Sequence, residues 1–383
     1  MQSARFLFSA FFLSAAVAQA SVAPQNRPPV LQVPNVAQPQ LTADSDGRVW
    51  LVYGQLGEAP PAPAAGQAHQ GHGAPSRPGE VFVACSKDAG ATFGPAVKAV
   101  TLPKLMLGMR RGPRIATHGD HVTVTMVGDE LCAVRSEDGG RTWSQPVTIN
   151  DVSTSAREGL HDLAAGPAGE LFVTWLDLRN GKMELWSATS RDAGRTWAKN
   201  QQVYSSPDKA ICECCHPTSL FDAEGNLAVM WRNSIEGSRD MWMTTRPKGA
   251  TQFTPARKLG TGTWKLAACP MDGGRILALG GGKFGAVFQR AGEVFFVAAA
   301  GEEKLIGAGK QPIAVRRGGE SLILWQQGAD LVSVSDVGQP AAKRASDARF
   351  PVVVTLPNKG GTVLAYEQGP AKERQPGIVV ERF

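Results

Sequence analysis

The 383-residue chain has no cluster of basic residues, no long apolar run past its first residues and only three tyrosines. Its 40 Lys and Arg outnumber 34 Asp and Glu, for a net charge of +6. The cations are scattered without aromatic interleaving, which excludes the footprint of a nucleic-acid-binding protein and leaves a mild preference for anionic ligands. No later segment is apolar for the roughly 20 residues a spanning helix requires, so no membrane span is expected. The single hydrophobic run follows Arg5, covers Phe6–Val17 and ends at Ala18-Gln19-Ala20. A charged start, a short apolar core and a small-x-small site mark residues 1–20 as a secretory signal peptide. No cysteine follows the cleavage site, which argues against a lipid anchor. The expectation is an exported protein, periplasmic or extracellular, with residues 21–383 forming one domain.

What the chain has in quantity is glycine and proline, 43 and 26 residues, as suits many short strands joined by tight turns. It also repeats itself. Ser86-Lys-Asp88-Ala-Gly90-Ala-Thr92-Phe93, Ser136-Glu-Asp138-Gly-Gly140-Arg-Thr142-Trp143 and Ser190-Arg-Asp192-Ala-Gly194-Arg-Thr196-Trp197 follow one template. A fourth copy, Arg246–Phe253, keeps the aromatic but carries Lys248 in place of the aspartate. The copies begin 50, 54 and 56 residues apart, the period of a propeller blade and not of a helical solenoid. The aspartate accepts from backbone amides of its own turn, the glycine supplies a backbone conformation closed to other residues, and the aromatic ties the turn down.

This octapeptide is similar to the Asp box, or BNR repeat, of the sialidase superfamily, and the resemblance spans most of residues 21–383. It implies an all-β propeller of four-stranded antiparallel blades. Strands ending in a large residue recur at Val49–Tyr53, Leu171–Trp175, Leu227–Trp231, Leu322–Trp325 and Val363–Tyr366, with Met126 at that place in the second unit. Units start near residues 40, 113, 161, 217, 266, 312 and 350, which makes seven blades; six, as in known sialidases, is the alternative. The last unit shows three strands, and Val30–Val36 is expected to supply the fourth and close the ring. A Pro/Ala/His-rich insertion at 58–78, containing His69 and His72, interrupts the first blade.

In such a blade the turns after the first and third strands share a face, so the boxes lie away from the face where the blade-to-blade loops meet. Asp88, Asp138 and Asp192 are therefore structural. The other face carries the candidate catalytic residues Arg114, Glu158, His161, Asp162, Asp177, Arg179 and Arg232, several of them hard against strand ends. The resemblance implies three arginines gripping a substrate carboxylate, a tyrosine nucleophile with a glutamate, and an aspartate as acid/base. Gly112-Pro113-Arg114-Ile115 opens a strand in the manner of the family's first arginine, and Arg232 and Arg349 are also at strand ends. Of the tyrosines, Tyr53 and Tyr366 occupy the repeated aromatic position, where packing explains them.

Cys212, Cys214, Cys215 and His216 lie together in sequence, and Cys269 follows at the opening of the fifth unit. Export permits disulfides, and Cys269 is the natural partner for one of the adjacent pair. A soft metal, copper or zinc, held by the cluster is the second reading, although the spacing matches no standard zinc pattern. No other cofactor is expected. The Cys-x-Cys-Cys-His-Pro and Trp-Lys-Leu-x-x-Cys-Pro stretches resemble those of bacterial sialidase-like proteins of unestablished substrate. Two functions stay open: an exo-sialidase-type glycosidase acting on an anionic sugar, and a non-catalytic propeller binding a glycan, a metal or a protein through the same face.

Overall fold

Every unit of the sequence alternates short apolar runs with turn residues, and each run becomes a strand. The computed structural model describes residues 28–58, 77–299, 301–357, 361–370 and 372–383. The expected signal peptide and residues 59–76 of the insertion, His69 and His72 included, fall outside them. After β1 (Leu31–Val33) the first blade holds β2 (Ala37–Ala43), β3 (Val49–Leu56), β4 (Arg77–Ser86) and β5 (Val97–Leu105). The second holds β6 (Arg114–His118), β7 (His121–Val127), β8 (Leu131–Ser136) and β9 (Val147–Thr148). The third holds β10 (His161–Ala165), β11 (Leu171–Asp177), β12 (Glu184–Ser190) and β13 (Gln201–Tyr204). The fourth holds β14 (Thr218–Phe221), β15 (Leu227–Arg232), β16 (Met241–Arg246) and β17 (Arg257–Lys258). The fifth holds β18 (Arg275–Gly280), β19 (Lys283–Arg290), β20 (Glu293–Val297) and β21 (Glu303–Ala308). The sixth holds β22 (Lys310–Arg317), β23 (Glu320–Gln327), β24 (Asp330–Val334) and β25 (Ala342–Ala345). The seventh holds β26 (Ala348–Thr355), β27 (Thr362–Gln368) and β28 (Ile378–Arg382).

Seven four-stranded antiparallel sheets result, and β1 completes the last by pairing Leu31 with Val380 and Val33 with Ile378. The first strand of each blade touches the first strand of the next, and β26 returns to β2, so seven first strands ring the axis. Closure removes exposed sheet edges. The count of seven holds against six. The fifth blade begins at Arg275 and not near Trp264, because Trp264–Cys269 forms a loop pinned by the Trp264 amide donating to Asp240 (2.9 Å).

The core is divided among the seven blade interfaces. At one position on the second strand, Tyr53, Met126, Trp175, Trp231, Phe288, Trp325 and Tyr366 each pack against the preceding blade. Phe288 is the fifth-blade member that the sequence pattern did not single out. The Asp boxes dock in the same direction. In the box of the second blade, the Ser136 hydroxyl and the Thr142 amide and hydroxyl all donate to Asp138 (2.7, 3.0 and 2.7 Å). Gly140 adopts φ 81°, and a Cβ there would sit 2.9 Å from Trp50 of the first blade. Only glycine satisfies both demands. Boxes 86–93 and 190–197 repeat these bonds around Asp88 and Asp192, with Gly90 and Gly194 at φ 80°. Phe93, Trp143 and Trp197 pack against the interface clusters. In the fourth copy the Lys248 amide donates instead to Asn226, and Phe253 sits edge-on to Phe172.

Candidate functional site

On the face opposite the boxes, the first strands begin, and their opening residues turn toward the axis. Arg114 opens β6, Arg275 opens β18, Asp162 is the second residue of β10, and His216 precedes β14. Four blades thus deliver a carboxylate, an imidazole and two guanidiniums to one axial cavity of about 60 Å³, joined by Arg110 from the loop before β6. Asp162 stands 3.7 Å from Arg114 and 3.7 Å from Arg275, and accepts from the Ser219 amide at 2.7 Å. Burial pushes Arg110 and Arg114 down to about 10, so both remain cationic at neutral pH. Arg110 donates to Gln311 (2.8 Å) and to the Pro351 carbonyl (2.9 Å), reaching across the ring to the sixth and seventh blades. Burial first, then the three nearby arginines, hold His216 neutral.

A wider cleft of about 630 Å³ opens on the same face. Met109, Met271 and Phe350 supply its apolar surface, and Lys310, Lys372 and Arg374 its cations. These three have no carboxylate partner among the described residues. Arg349 is neutralised by Glu367 (2.9 Å), which also takes the side-chain amide of Gln38 (2.7 Å).

No curated protein matches the chain. The sequence profile of the BNR repeat-like domain matches residues 114–358, well over half of it. The chain belongs to the BNR repeat-like family. Similar solved folds include virginiamycin B lyase of Staphylococcus aureus, 11% identical, covering 91% of this chain and 97% of that one with a TM-score of 0.52. An α-L-arabinofuranosidase of Fusarium graminearum is 12% identical over 91% of this chain and 93% of that one, with a TM-score of 0.51. The NanB sialidase of Streptococcus pneumoniae is 11% identical over 96% and 71%, with a TM-score of 0.47. At such identities the likeness is one of fold.

Within this BNR-repeat propeller the sequence-derived candidates separate. Arg114 and Asp162 line the axial cavity. His161, the first residue of β10, is fully buried and bonds Thr125 through Nε2 at 3.0 Å. Asp177 ends β11 and pairs with Arg179 of the turn that follows (2.9 Å), with Arg179 also bound to Asp151 and stacked 3.8 Å over Trp186. They line neither the cavity nor the cleft. Arg232 ends β15 and spends its donors on the carbonyls of Asp272, Gln289 and Arg239. Glu158 accepts through its carbonyl from Arg111 (2.5 Å). Arg275, Lys310, Lys372 and Arg374 were missed. Arg275 had a signal: Gly274-Arg275-Ile276 opens an inner strand just as Pro113-Arg114-Ile115 does.

The cysteine expectation changes. All six are free thiols, so the bond from the cluster to Cys269 is absent. Cys212, Cys214 and Cys215 converge in the interior, whereas Cys269 is exposed at the cleft. Cys85 and Cys132, on the third strands β4 and β8, are free thiols as well.

His161 carries a pH signature. Burial, reinforced by Arg114, lowers its pKa from 6.5 to about 3. The unfolded chain therefore takes up this proton at a higher pH than the folded one. Stability present above pH 6.5 is lost as pH falls toward 3, by up to about 1.4 kcal/mol per unit. Urea unfolding between pH 7 and 4 should show a limb shallower by about one proton in His161→Gln; parallel limbs would remove His161 as the cause.

Proposed function

We propose that this chain is an exported, non-catalytic propeller that binds an anionic glycan in the cleft opposite the Asp boxes. The observation that carries the reading is, among the described residues, the surplus of three cations without an ion pair, Lys310, Lys372 and Arg374, over the single unpaired carboxylate of Glu373, around an apolar surface containing Phe350. Cations serve the carboxylates of an acidic sugar, and an aromatic or thioether surface serves its C–H faces. Export rests on the N-terminal signal pattern.

An exo-sialidase-type glycosidase is the second reading, favoured by Arg110, Arg114 and Arg275 gathering near Asp162. The tyrosines oppose it. Tyr53 and Tyr366 are buried in blade interfaces, and Tyr366 donates to Glu381 (2.6 Å), which, after burial, pushes its pKa upward and away from a nucleophile's. Tyr204 is packed on Trp231 with ring centroids 4.6 Å apart.

Calorimetric titration with sialyllactose, an oligouronate and neutral lactose separates these readings. Binding confined to the acidic sugars, weakening with salt and falling about tenfold or more in a Lys310→Ala, Arg374→Ala double variant, is expected. No binding to any acidic glycan would sink the proposal. Turnover of a fluorogenic sialoside that disappears in Arg114→Ala would establish the glycosidase instead.

A further inference from the structure

The three buried cysteines form a cluster that the glycan reading does not use. Cys212 Sγ lies 3.7 Å from Cys214 Sγ and 3.5 Å from Cys215 Sγ, and all three sulfurs fall within 4.8 Å of one another. Free cysteine is commonly buried as a small hydrophobe, and that would account for one or two scattered thiols. It does not account for three sulfurs meeting beside buried cations. Arg232, 1% exposed, lies close enough to interact electrostatically with Cys212 and Cys215, and Arg111 does so with Cys214. Every hydrogen bond of the Arg232 guanidinium goes to a carbonyl, and no carboxylate pairs with it among the described residues. Asp272, itself buried, is the carboxylate within electrostatic reach of Arg232, and its amide donates to Cys215 Sγ (3.4 Å), so sulfurs, guanidinium and carboxylate share one buried polar patch. Three sulfurs this close together form the donor set of a soft cation.

The spacing suits such a cation. Metal–sulfur bonds of about 2.3 Å at tetrahedral or trigonal angles place sulfurs roughly 3.8–4.0 Å apart, close to the arrangement present. Met271 packs against the three cysteines and also lines the cleft, so the cluster lies one side chain below the surface. A thioether beside three thiolates favours monovalent copper, since zinc prefers nitrogen, oxygen or thiolate as its fourth ligand.

We propose that Cys212, Cys214 and Cys215 form a soft-metal site that holds one Cu(I), capped by Met271 beneath the cleft. The site shares Met271 with the cleft, but its three cysteines take no part in the glycan reading, so copper binding is tested apart from it.

Anaerobic titration of the reduced full-length protein with Cu(I), in competition with a chromogenic Cu(I) chelator, tests the assignment. One copper per chain is expected, with three of the six thiols protected from alkylation. Cys212→Ser and Cys214→Ser should each weaken binding by about 100-fold or more, Met271→Leu by about tenfold, and Cys85→Ser not at all. Met271→Leu keeps every thiol and an apolar side chain of similar size, so its loss of affinity separates ligation from misfolding. Equal copper binding by wild type and Cys214→Ser would overturn the site. So would a Cys212–Cys215 disulfide in the protein as first isolated, detected as two missing thiols before reduction. Zinc displacing the bound Cu(I) would overturn the choice of metal.

Discussion

Asp177→Ala is expected to lower the unfolding free energy by roughly 3–5 kcal/mol while leaving glycan affinity unchanged. The carboxylate is fully buried and accepts from the Trp175 indole (2.6 Å), the Ser155 hydroxyl (2.7 Å) and the Arg179 amide and guanidinium (2.8–2.9 Å). Burial raises its pKa, but these donors outweigh burial and hold it below the ordinary value. Removing the acceptor strands an indole N–H, a hydroxyl and a largely buried guanidinium at once. Arg179 keeps Asp151 (2.7 Å) and Asn200 (2.8 Å), which places the cost toward the lower end of the range. Asp177→Asn, which retains one acceptor oxygen, should cost less. Urea unfolding and glycan titration measured on the same preparations decide the matter. A variant that stays fully stable yet loses ligand binding would return Asp177 to the functional face.

Trp231→Ala should destabilise the protein by a similar amount, about 3–5 kcal/mol, through the cavity it leaves between the third and fourth blades. Trp231 is fully buried and packs with Leu160, Leu176 and Ile211, with the Tyr204 ring centroid 4.6 Å away. Two rigid sheets flank the site, so collapse into the void is limited. The ring offers its own control. Met126 occupies the equivalent position in the second blade and is equally buried. Trp231→Met should therefore lose less than Trp231→Ala, because a flexible thioether refills part of the volume. If both variants unfold at the wild-type urea midpoint, the second-strand aromatics are not what joins the blades.

Placement of the candidate residues followed this same division between repeated and singular features. The Asp boxes were legible because their bonds are local: Ser136, Asp138 and Thr142 satisfy one another within one turn. The aromatic position was legible because it recurs once per blade, and it slipped in the fifth blade where Phe288 sits in a glycine-rich stretch without a box. The pairing of residues near Val30–Val36 with the last blade was also readable, from a unit one strand short. Asp177 and Arg232 line neither the cavity nor the cleft, for a physical reason. They end second strands, where a charge can turn sideways to pin its own loop as readily as inward to the axis. Arg114, Asp162 and Arg275 begin inner strands, where turning inward is the available direction.

The linear chain was enough to specify an all-β propeller and the face to search, since each depends on short-range patterns repeated at blade spacing; seven blades stood beside six until the box-free fifth blade, from Arg275, was in place. The meeting of Arg114, Asp162, His216 and Arg275 comes from four blades and exists only once the ring has closed. The cleft cations Lys310, Lys372 and Arg374 come together across the sixth and seventh blades in the same way. The cysteines fall between these cases. Their nearness was plain from the spelling Cys212-Glu-Cys214-Cys215. That they face inward, beside Arg232 and Asp272 and away from Cys269, follows from how the loop before β14 packs against the fifth blade.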